Sequence, residues 1–416
     1  MSPIHPPFLF LFFFLFLHCS AQSSLSPTDR QALLNIRQNL FDLPGSTFFS
    51  SWDFSSDPCL SFSGITCSPD DDDNNFLRVS VLTLGTGLTD SPGLGGILPT
   101  SISNLTALTE LVIFPGRITG QIPTNLGGSL PLLRLLSISS NLLLGPIPPS
   151  LSNLPFLHTL DLSQNQLQDS LPPSLLSSNP SLKVLILAYN GGLTGPIPSQ
   201  LTSAPNLLHL DLRGNSFTGF LPPLPSTLRF LSVSINSLSG PLPPTFPALE
   251  FLDLSNNVFS GEIPPTIFSL PGLSSILLND NNFSGNLSLP FSSDTTVKWA
   301  VVDVSHNMLT GEPPAGLAAA DSLYLNNNQF TGAVPEEYIE SIYNGSMTTF
   351  YAQSNFLSVF SLPPSTVGMA VPASASLCLS HNCMLPPPAA TTGCPASAQA
   401  HLSRPSYQCA AASGGD

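Results

Sequence analysis

Four aspartates stand out as residues whose type and repeated placement could do chemistry. Asp161, Asp211, Asp253 and Asp303 each follow the first apolar residue of a phrase that reads LDLS, LDLR or VDVS. Two carboxylates that face each other in a cleft can serve as general acid and general base. These copies lie in alternate or distant turns of the chain. Their repetition therefore predicts a consensus position rather than a paired active site.

No other motif in the sequence predicts catalysis. The histidines at 158, 209, 306, 381 and 401 are scattered, and a GxSxG phrase is absent. The GLGG at 93–96 is not followed by the helix and acidic residue of a nucleotide fingerprint. The acidic run PDDDDNN at 69–75 lacks the ligand spacing of a calcium loop and is predicted to be a solvated loop. The sequence thus favours a protein that is not an enzyme and holds no metal or cofactor.

The N-terminal residues predict a cleaved secretion signal. An apolar run from Phe8 to Leu17 is too short to span a bilayer, and small residues follow it up to Ala21. No other apolar run is long enough for a membrane helix, so we predict a secreted, extracellular protein without a transmembrane segment. The formal charge of −15 argues against a nucleic-acid partner.

The remaining cysteines fit an oxidising compartment. Removal of the signal takes Cys19 and leaves an even number, which predicts disulfides at the two ends of the chain. These cysteines are Cys59, Cys67, Cys378, Cys383, Cys394 and Cys409. The last four allow three pairings, among which the sequence does not choose. Glycosylation sequons of the form N-x-S/T begin at Asn104, Asn282, Asn286 and Asn344.

A repeated phrase organises the middle of the chain. Asparagine recurs every 21 to 26 residues at positions 141, 165, 190, 215, 236, 257, 281, 307 and 328, each time after a short apolar strand pattern. Two earlier turns carry Gly87 and Gly116 at that place, which makes eleven turns. This period is typical of a solenoid in which each turn adds one strand to a parallel sheet.

Alternation within the phrase predicts which side chains are buried. In LDLS the two leucines point into the body and the residue between them points outward. The asparagine is predicted to hydrogen bond with backbone groups of adjacent turns, and the phenylalanine two residues later, such as Phe259, is predicted to be core. Gly261 and Pro264 are predicted to set the bend that follows.

The pattern LxxLxLxxNxLxGxIPxxLxxL resembles the plant-type leucine-rich repeats of receptor-like kinases, receptor-like proteins and polygalacturonase-inhibiting proteins. The resemblance covers residues 79 to about 340. LSPTDRQALLNIRQNL resembles the helix of the family's N-terminal cap, with Ser26 as its N-cap, and SWDFSSDPCLSFSGITC resembles its paired-cysteine segment. The resemblance implies a disulfide between Cys59 and Cys67, and Phe62 stands where the family often has tryptophan.

A group of outward residues is the candidate ligand site. Val184, His209, Phe230 and Phe251 occupy one column in consecutive turns, and Ile186, Asp211, Arg213 and Asp253 lie beside it. An apolar patch with a polar rim is a candidate partner surface. The alternative is that cross-strand packing or a neighbouring glycan covers these residues.

These observations predict an α/β solenoid, a leucine-rich-repeat superhelix with about eleven repeats, a parallel sheet on its concave face and disulfide-bonded caps. The expected divisions are a signal peptide (1–21), an N-terminal cap (22–78), repeats (79–340), a C-terminal cap (341–377) and a Cys/Pro-rich tail (378–416). The resemblance implies recognition of a peptide, a cell-wall component or a receptor-kinase ectodomain, in the cell wall or apoplast. The alternative is an inhibitor of a pathogen wall-degrading enzyme, and a third hypothesis is an enzyme that acts on wall polysaccharides.

Overall fold

The computed structural model describes residues 24–70, 76–88, 91–290, 297–362, 364–366, 369–385, 393–395 and 403–412. The predicted signal peptide and most of the acidic run lie outside these residues. Within the described residues the chain winds into successive coils, and each coil contacts the coil before it and the coil after it.

One strand from each coil forms the concave sheet, which has 15 strands in the described residues. It opens with Ser24–Leu25, and Ile65–Pro69 pairs antiparallel with the first long strand. We number the coils 1 to 13 by their strands in this sheet, all of which run parallel. These strands are Phe76–Leu84, Glu110–Ile113, Leu135–Ile138, Thr159–Asp161, Val184–Ile186, His209–Asp211, Phe230–Ser232, Phe251–Asp253, Ser275–Leu277, Trp299–Asp303, Ala320–Tyr324, Thr349–Tyr351 and Ser376–Cys378.

A second sheet has 12 strands in the described residues: the first belongs to the N-terminal cap, and the others follow the asparagine, or the equivalent glycine, of coils 1 to 11. Its first two strands pair antiparallel and the others pair parallel. Its strands are Leu40–Asp42, Leu94–Ile97, Arg117–Gln121, Leu142–Pro146, Gln166–Ser170, Gly192–Pro196, Ser216–Gly219, Ser237–Gly240, Val258–Gly261, Asn282–Asn286, Met308–Gly311 and Gln329–Phe330. Gly261 has a φ of 84°, which a side chain would disfavour, and Pro264 then begins the return segment.

Short helices close most coils on the convex side. The α-helices are Pro27–Asn39, Pro58–Ser61, Leu126–Ser129, Pro173–Ser177, Glu336–Tyr343 and Ser406–Ala412. The 3₁₀ helices are Phe48–Ser51, Thr100–Asn104, Pro149–Asn153, Ser199–Ser203, Pro265–Ser269, Ala315–Ala319 and Pro364–Thr366. Proline stands at or next to the start of several of these helices, where no backbone donor is needed.

The core is a set of apolar columns that run through all coils. In coil 8, Leu252, Leu254 and Phe259 are fully buried, as alternation within the phrase predicts. Asn257 donates from Nδ2 to the carbonyl oxygens of Val233, Leu254 and Ser255 at 3.0 to 3.2 Å, and its Oδ1 accepts from the backbone of the preceding coil. The asparagine column therefore satisfies buried backbone groups between coils, which is the predicted structural role.

An aromatic plug closes the N-terminal end. The first helix begins at Pro27 and buries Leu33 and Ile36, but the Ser26 side chain makes no capping hydrogen bond, contrary to expectation. Phe62 stacks on Trp52 with ring centroids 5.0 Å apart. A disulfide joins Cys59 to Cys67, as the resemblance implies.

The C-terminal end differs from the sequence prediction, because the sheet continues beyond residue 340. Coils 12 and 13 follow, and Asn355 and Asn382 take the asparagine position in them. The helix Glu336–Tyr343, which crosses the predicted boundary between repeats and C-terminal cap, is the convex segment that leads into coil 12. The disulfides are Cys378–Cys394 and Cys383–Cys409, which resolves the three possible pairings.

Candidate ligand-binding face

The predicted column lies side by side on the concave sheet. In coils 5 to 8, Val184 pairs in register with His209, His209 with Phe230, and Phe230 with Phe251. This alignment follows from the parallel register, since equivalent residues of successive coils become cross-strand neighbours. All four side chains are only partly buried.

Three of these residues form an aromatic stack, by which we mean His209, Phe230 and Phe251. The rings of His209 and Phe230 lie 3.9 Å apart and those of Phe230 and Phe251 lie 4.5 Å apart, each pair inclined by only 4°. Such contacts contribute about 0.5–1.5 kcal/mol per pair beyond buried area. The cross-strand packing considered from the sequence is therefore present, yet it leaves the stack partly exposed to solvent.

The position of His209 in the stack lowers the pKa of its imidazole. Burial lowers the pKa of its imidazole, and the positive charge of Arg213 lowers that pKa further. The histidine consequently takes part in the stack as a neutral ring more readily than an exposed imidazole would.

The neighbouring column is apolar in coil 5 and polar in coils 6 to 8. Ile186, Asp211, Ser232 and Asp253 are successive cross-strand partners in coils 5 to 8. Asp211 lies 3.3 Å from Nε of Arg213 and accepts a hydrogen bond from the Arg213 backbone. Burial raises the pKa of the Asp211 carboxyl, while these contacts oppose the rise.

The repeated aspartates are engaged locally. Asp161, Asp253 and Asp303 each accept hydrogen bonds at Oδ1 from the backbone and hydroxyl of the serine two residues later, at 2.6 to 3.1 Å. Burial raises the pKa of Asp303, and the bonds from its serine oppose the rise. This arrangement favours a structural role for each copy. Within the described residues, no group of three or more His, Cys, Asp and Glu could hold a metal ion.

Several outward residues escaped the sequence prediction. Tyr189, which is 45% exposed, lies beneath the Arg213 guanidinium at 5.6 Å from its ring centroid. A Cβ at Gly214 would lie 2.4 Å from Tyr189 Cδ1, so glycine there makes room for this ring. Tyr324 and Tyr351 form an edge-to-face pair at 5.5 Å in coils 11 and 12. Aligning every position of the repeat, rather than one column, would have found these residues.

Models of two known sequence families match the chain. The Leucine rich repeat N-terminal domain matches residues 26–68, and the Leucine Rich Repeat matches residues 132–154, 156–178, 206–228 and 248–270. With the stacked coils and the asparagine column, these matches decide the fold. The chain folds as a leucine-rich-repeat solenoid.

The similar proteins include plant receptor kinases. The chain is 34% identical over 144 residues to the LRR receptor-like serine/threonine-protein kinase RGI5 of Arabidopsis thaliana, which is 33% of this chain and 10% of the kinase. The matched part is ectodomain-like. The solved structure of PEPR1-AtPEP1 superposes with a TM-score of 0.67 and 29% identity over 86% of this chain and 52% of that one.

A second solved structure is the LRR ectodomain of the plant membrane receptor kinase GASSHO1/SCHENGEN3 from Arabidopsis thaliana, in complex with CASPARIAN STRIP INTEGRITY FACTOR 2. It has a TM-score of 0.61 and 27% identity over 85% of this chain and 47% of that one. This chain therefore spans about half the length of these solved chains. No helix in its described residues is long and apolar enough to cross a membrane.

Proposed function

We propose that this protein is an extracellular recognition protein that binds a peptide on the concave face of coils 5 to 8 without catalysis. The observation that carries the proposal is the partly exposed aromatic stack of His209, Phe230 and Phe251. A row of aromatic rings that is rigid before binding loses little conformational entropy when a ligand covers it.

The surroundings of the stack support a peptide as the ligand. Ile186 and Val184 extend its apolar surface, while the partly exposed Arg213, paired with the buried Asp211, supplies a charged rim. Buried aromatic anchors with polar rims dominate the energetics of many protein interfaces. The one or two columns of outward residues that form this surface also match the width of a peptide in extended conformation.

Similarity and chemistry support an extracellular location. The similar solved structures include a receptor-kinase ectodomain in complex with a factor, and this chain carries three disulfides. The four sequon asparagines, Asn104, Asn282, Asn286 and Asn344, are all exposed. We propose that glycans attach there, away from the aromatic stack.

The proposal is tested with selected peptides. The secreted chain is panned against a phage-displayed library of random peptides, and enriched peptides are titrated against the wild type, Phe230→Ala and Phe251→Ala. We expect each substitution to weaken binding at least about tenfold, because it truncates an anchor. Phe156→Ala is the matched control, since Phe156 is 51% exposed outside the concave sheet. Unchanged affinity in both stack variants would exclude this surface as the site.

The same preparation separates the alternatives. A fungal polygalacturonase assayed with and without the protein tests the inhibitor hypothesis. Turnover of wall polysaccharides, compared between the wild type and a variant with the concave carboxylates and histidines replaced by alanine, tests the enzyme hypothesis. We expect neither inhibition nor turnover that depends on these residues.

A further inference from the structure

A row of basic side chains lies along the edge of the concave sheet where its strands begin. We call this row the basic edge. It consists of the residues that directly precede the strands of coils 3, 4, 5 and 7, which are Arg134, His158, Lys183 and Arg229. Backbone hydrogen bonds connect these positions coil by coil, with Leu208 in coil 6. Among the described residues, no acidic side chain lies within ion-pair distance of Arg134, Lys183 or Arg229. Arg229 donates to the backbone carbonyl oxygens of Ser226 and Leu228, which leave its positive charge uncompensated.

The acidic residues of the same coils do not cancel this edge. Asp211 is already paired with Arg213, and Asp169 lies in the second sheet. Asp161 is then the remaining carboxylate beside the three cations Arg134, Lys183 and Arg229. The concentration is notable because the whole chain has only 10 Lys and Arg against 25 Asp and Glu. A basic surface on an acidic protein attracts negative charge locally, although the net charge repels it at a distance.

The charge reverses at the next coils. Glu250 and Asp280 are exposed in coils 8 and 9, and the more recessed Asp253 and Asp303 lie in coils 8 and 10. Asp280 lies 3.8 Å from His306, which compensates it only when protonated. Lys298 does not offset this acidic section, because it is paired at 3.0 Å with Asp321 of coil 11.

The reversal coincides with the aromatic stack. Arg229 directly precedes Phe230, and Glu250 directly precedes Phe251. We propose that the ligand is an extended, charge-polarised peptide with an acidic segment over coils 3 to 5, an aromatic or large apolar centre on the stack, and a basic segment over coils 8 to 10. This inference rests on the proposed function and adds the ligand's chemistry and its orientation along the solenoid.

Strand geometry sets the length of such a peptide. Coils 3 and 10 are seven strand intervals apart, which is about 34 Å at the usual spacing of about 4.8 Å. An extended chain covers about 3.3 Å per residue, so about ten residues reach from one charged section to the other.

Three synthetic peptides test the charge order. Each has twelve residues with Phe-Trp at the centre and glycine and serine spacers. The bipolar probe carries three Glu on one side and three Lys on the other. The alternating probe has the same composition with Glu and Lys interleaved, and the uncharged probe replaces them with Ser. Binding to the secreted chain is followed by fluorescence anisotropy at low and high salt.

We expect the bipolar probe to bind about tenfold more tightly than the alternating probe at low salt, with the difference shrinking in high salt. Arg134→Glu/Lys183→Glu/Arg229→Glu should weaken the bipolar probe about tenfold without affecting the uncharged probe. Arg117→Glu is the matched control, because Arg117 is exposed on the second sheet. A photo-crosslinker at the glutamate end should label coils 3 to 5.

The outcomes separate the inference from the proposed function. If the bipolar and uncharged probes bind equally and both lose affinity in Phe230→Ala, the peptide site stands and the charge order is wrong. Equal binding of the bipolar and alternating probes, or crosslinking to coils 8 to 10, also overturns the charge order. If no probe binding depends on Phe230, both the inference and the site are excluded.

Discussion

At the scale of single residues, the most informative side chains are amides that bond between coils. The Asn257 amide joins carbonyl groups of two successive coils and accepts from Leu238 N, so it serves four backbone groups at once. Such buried groups lose hydrogen bonds that water cannot replace if the amide is removed. Its repetition therefore reflects a structural requirement and not a repeated site.

Asn257→Ala should lower the free energy of unfolding by about 1–3 kcal/mol, because it leaves buried backbone groups unpaired. Urea unfolding of the variant and of the wild type measures this loss. Asn153→Ala is the control, since Asn153 is exposed in a convex 3₁₀ helix and should change stability by less than about 0.5 kcal/mol. Normal stability combined with lost ligand binding would contradict the structural role.

The lowered pKa of His209 predicts a pH effect on stability. The folded protein binds this proton less readily than the unfolded chain, so the stability contribution is present above about pH 6.5 and is lost as the pH falls below it. His209→Phe should flatten the decrease in unfolding free energy between about pH 7.5 and about pH 5. Phe156→Ala, at an exposed residue outside the concave sheet, should keep the wild-type profile. Identical profiles for the wild type and His209→Phe would refute the effect.

At the scale of elements, the additional coils show where sequence reading reaches its limit. Coils 1 to 11 follow from the recurring phrase: alternation predicts their strands, the residue two positions after the asparagine predicts the Phe spine, and glycine and proline predict their bends. The phrases that end at Asn355 and Asn382 come after longer intervals of 27 residues and contain Tyr351 and Cys378 at outward positions. The sequence predicts a C-terminal cap and a Cys/Pro-rich tail for this part of the chain, whereas the backbone continues the same sheet.

The coil assignment predicts that substitutions at two adjacent residues lower stability by different amounts. Phe350 is fully buried against Tyr338, with ring centroids 5.2 Å apart, whereas Tyr351 is outward and donates its hydroxyl to Gly393 O at 2.8 Å. Phe350→Ala should cost about 3–5 kcal/mol of stability, and Tyr351→Ala about 1 kcal/mol. Chemical unfolding measures both. Equal losses would contradict the placement of coil 12 in the core.

The candidate site shows the same limit. The column from Val184 to Phe251 is visible in the aligned phrases, because parallel register turns a sequence column into a spatial one. The spacing of the rings and the orientation of Tyr189 over Gly214 are not visible in the aligned phrases, because they depend on side-chain rotamers and on a left-handed glycine. The Asp211–Arg213 pair joins two neighbouring outward positions of one coil, and sequence alone gives no measure of its burial.

At the scale of the whole molecule, stability is shared between neighbouring coils and protected at the ends. The N-terminal plug of Trp52 and Phe62 covers the first coil, and two disulfides tie the last coil to the following segment. No single coil encloses a core, so each depends on its neighbours. Substitutions in the middle coils should therefore affect one cooperative body instead of separate domains.

This dependence on neighbours has a mechanical consequence. Under tension applied through the two termini, a coil that detaches exposes the next one, so extension should proceed in steps of one or a few coils. A coil of 21 to 26 residues would release about 70–90 Å of chain. The disulfides Cys378–Cys394 and Cys383–Cys409 close loops with sequence separations of 16 and 26 residues, and these loops cannot extend while the disulfides are intact. Optical tweezers should record a shorter total extension without reductant than with it, and equal extensions would contradict the pairings. Under load, such a solenoid should therefore extend coil by coil, while the two disulfides hold its last coil.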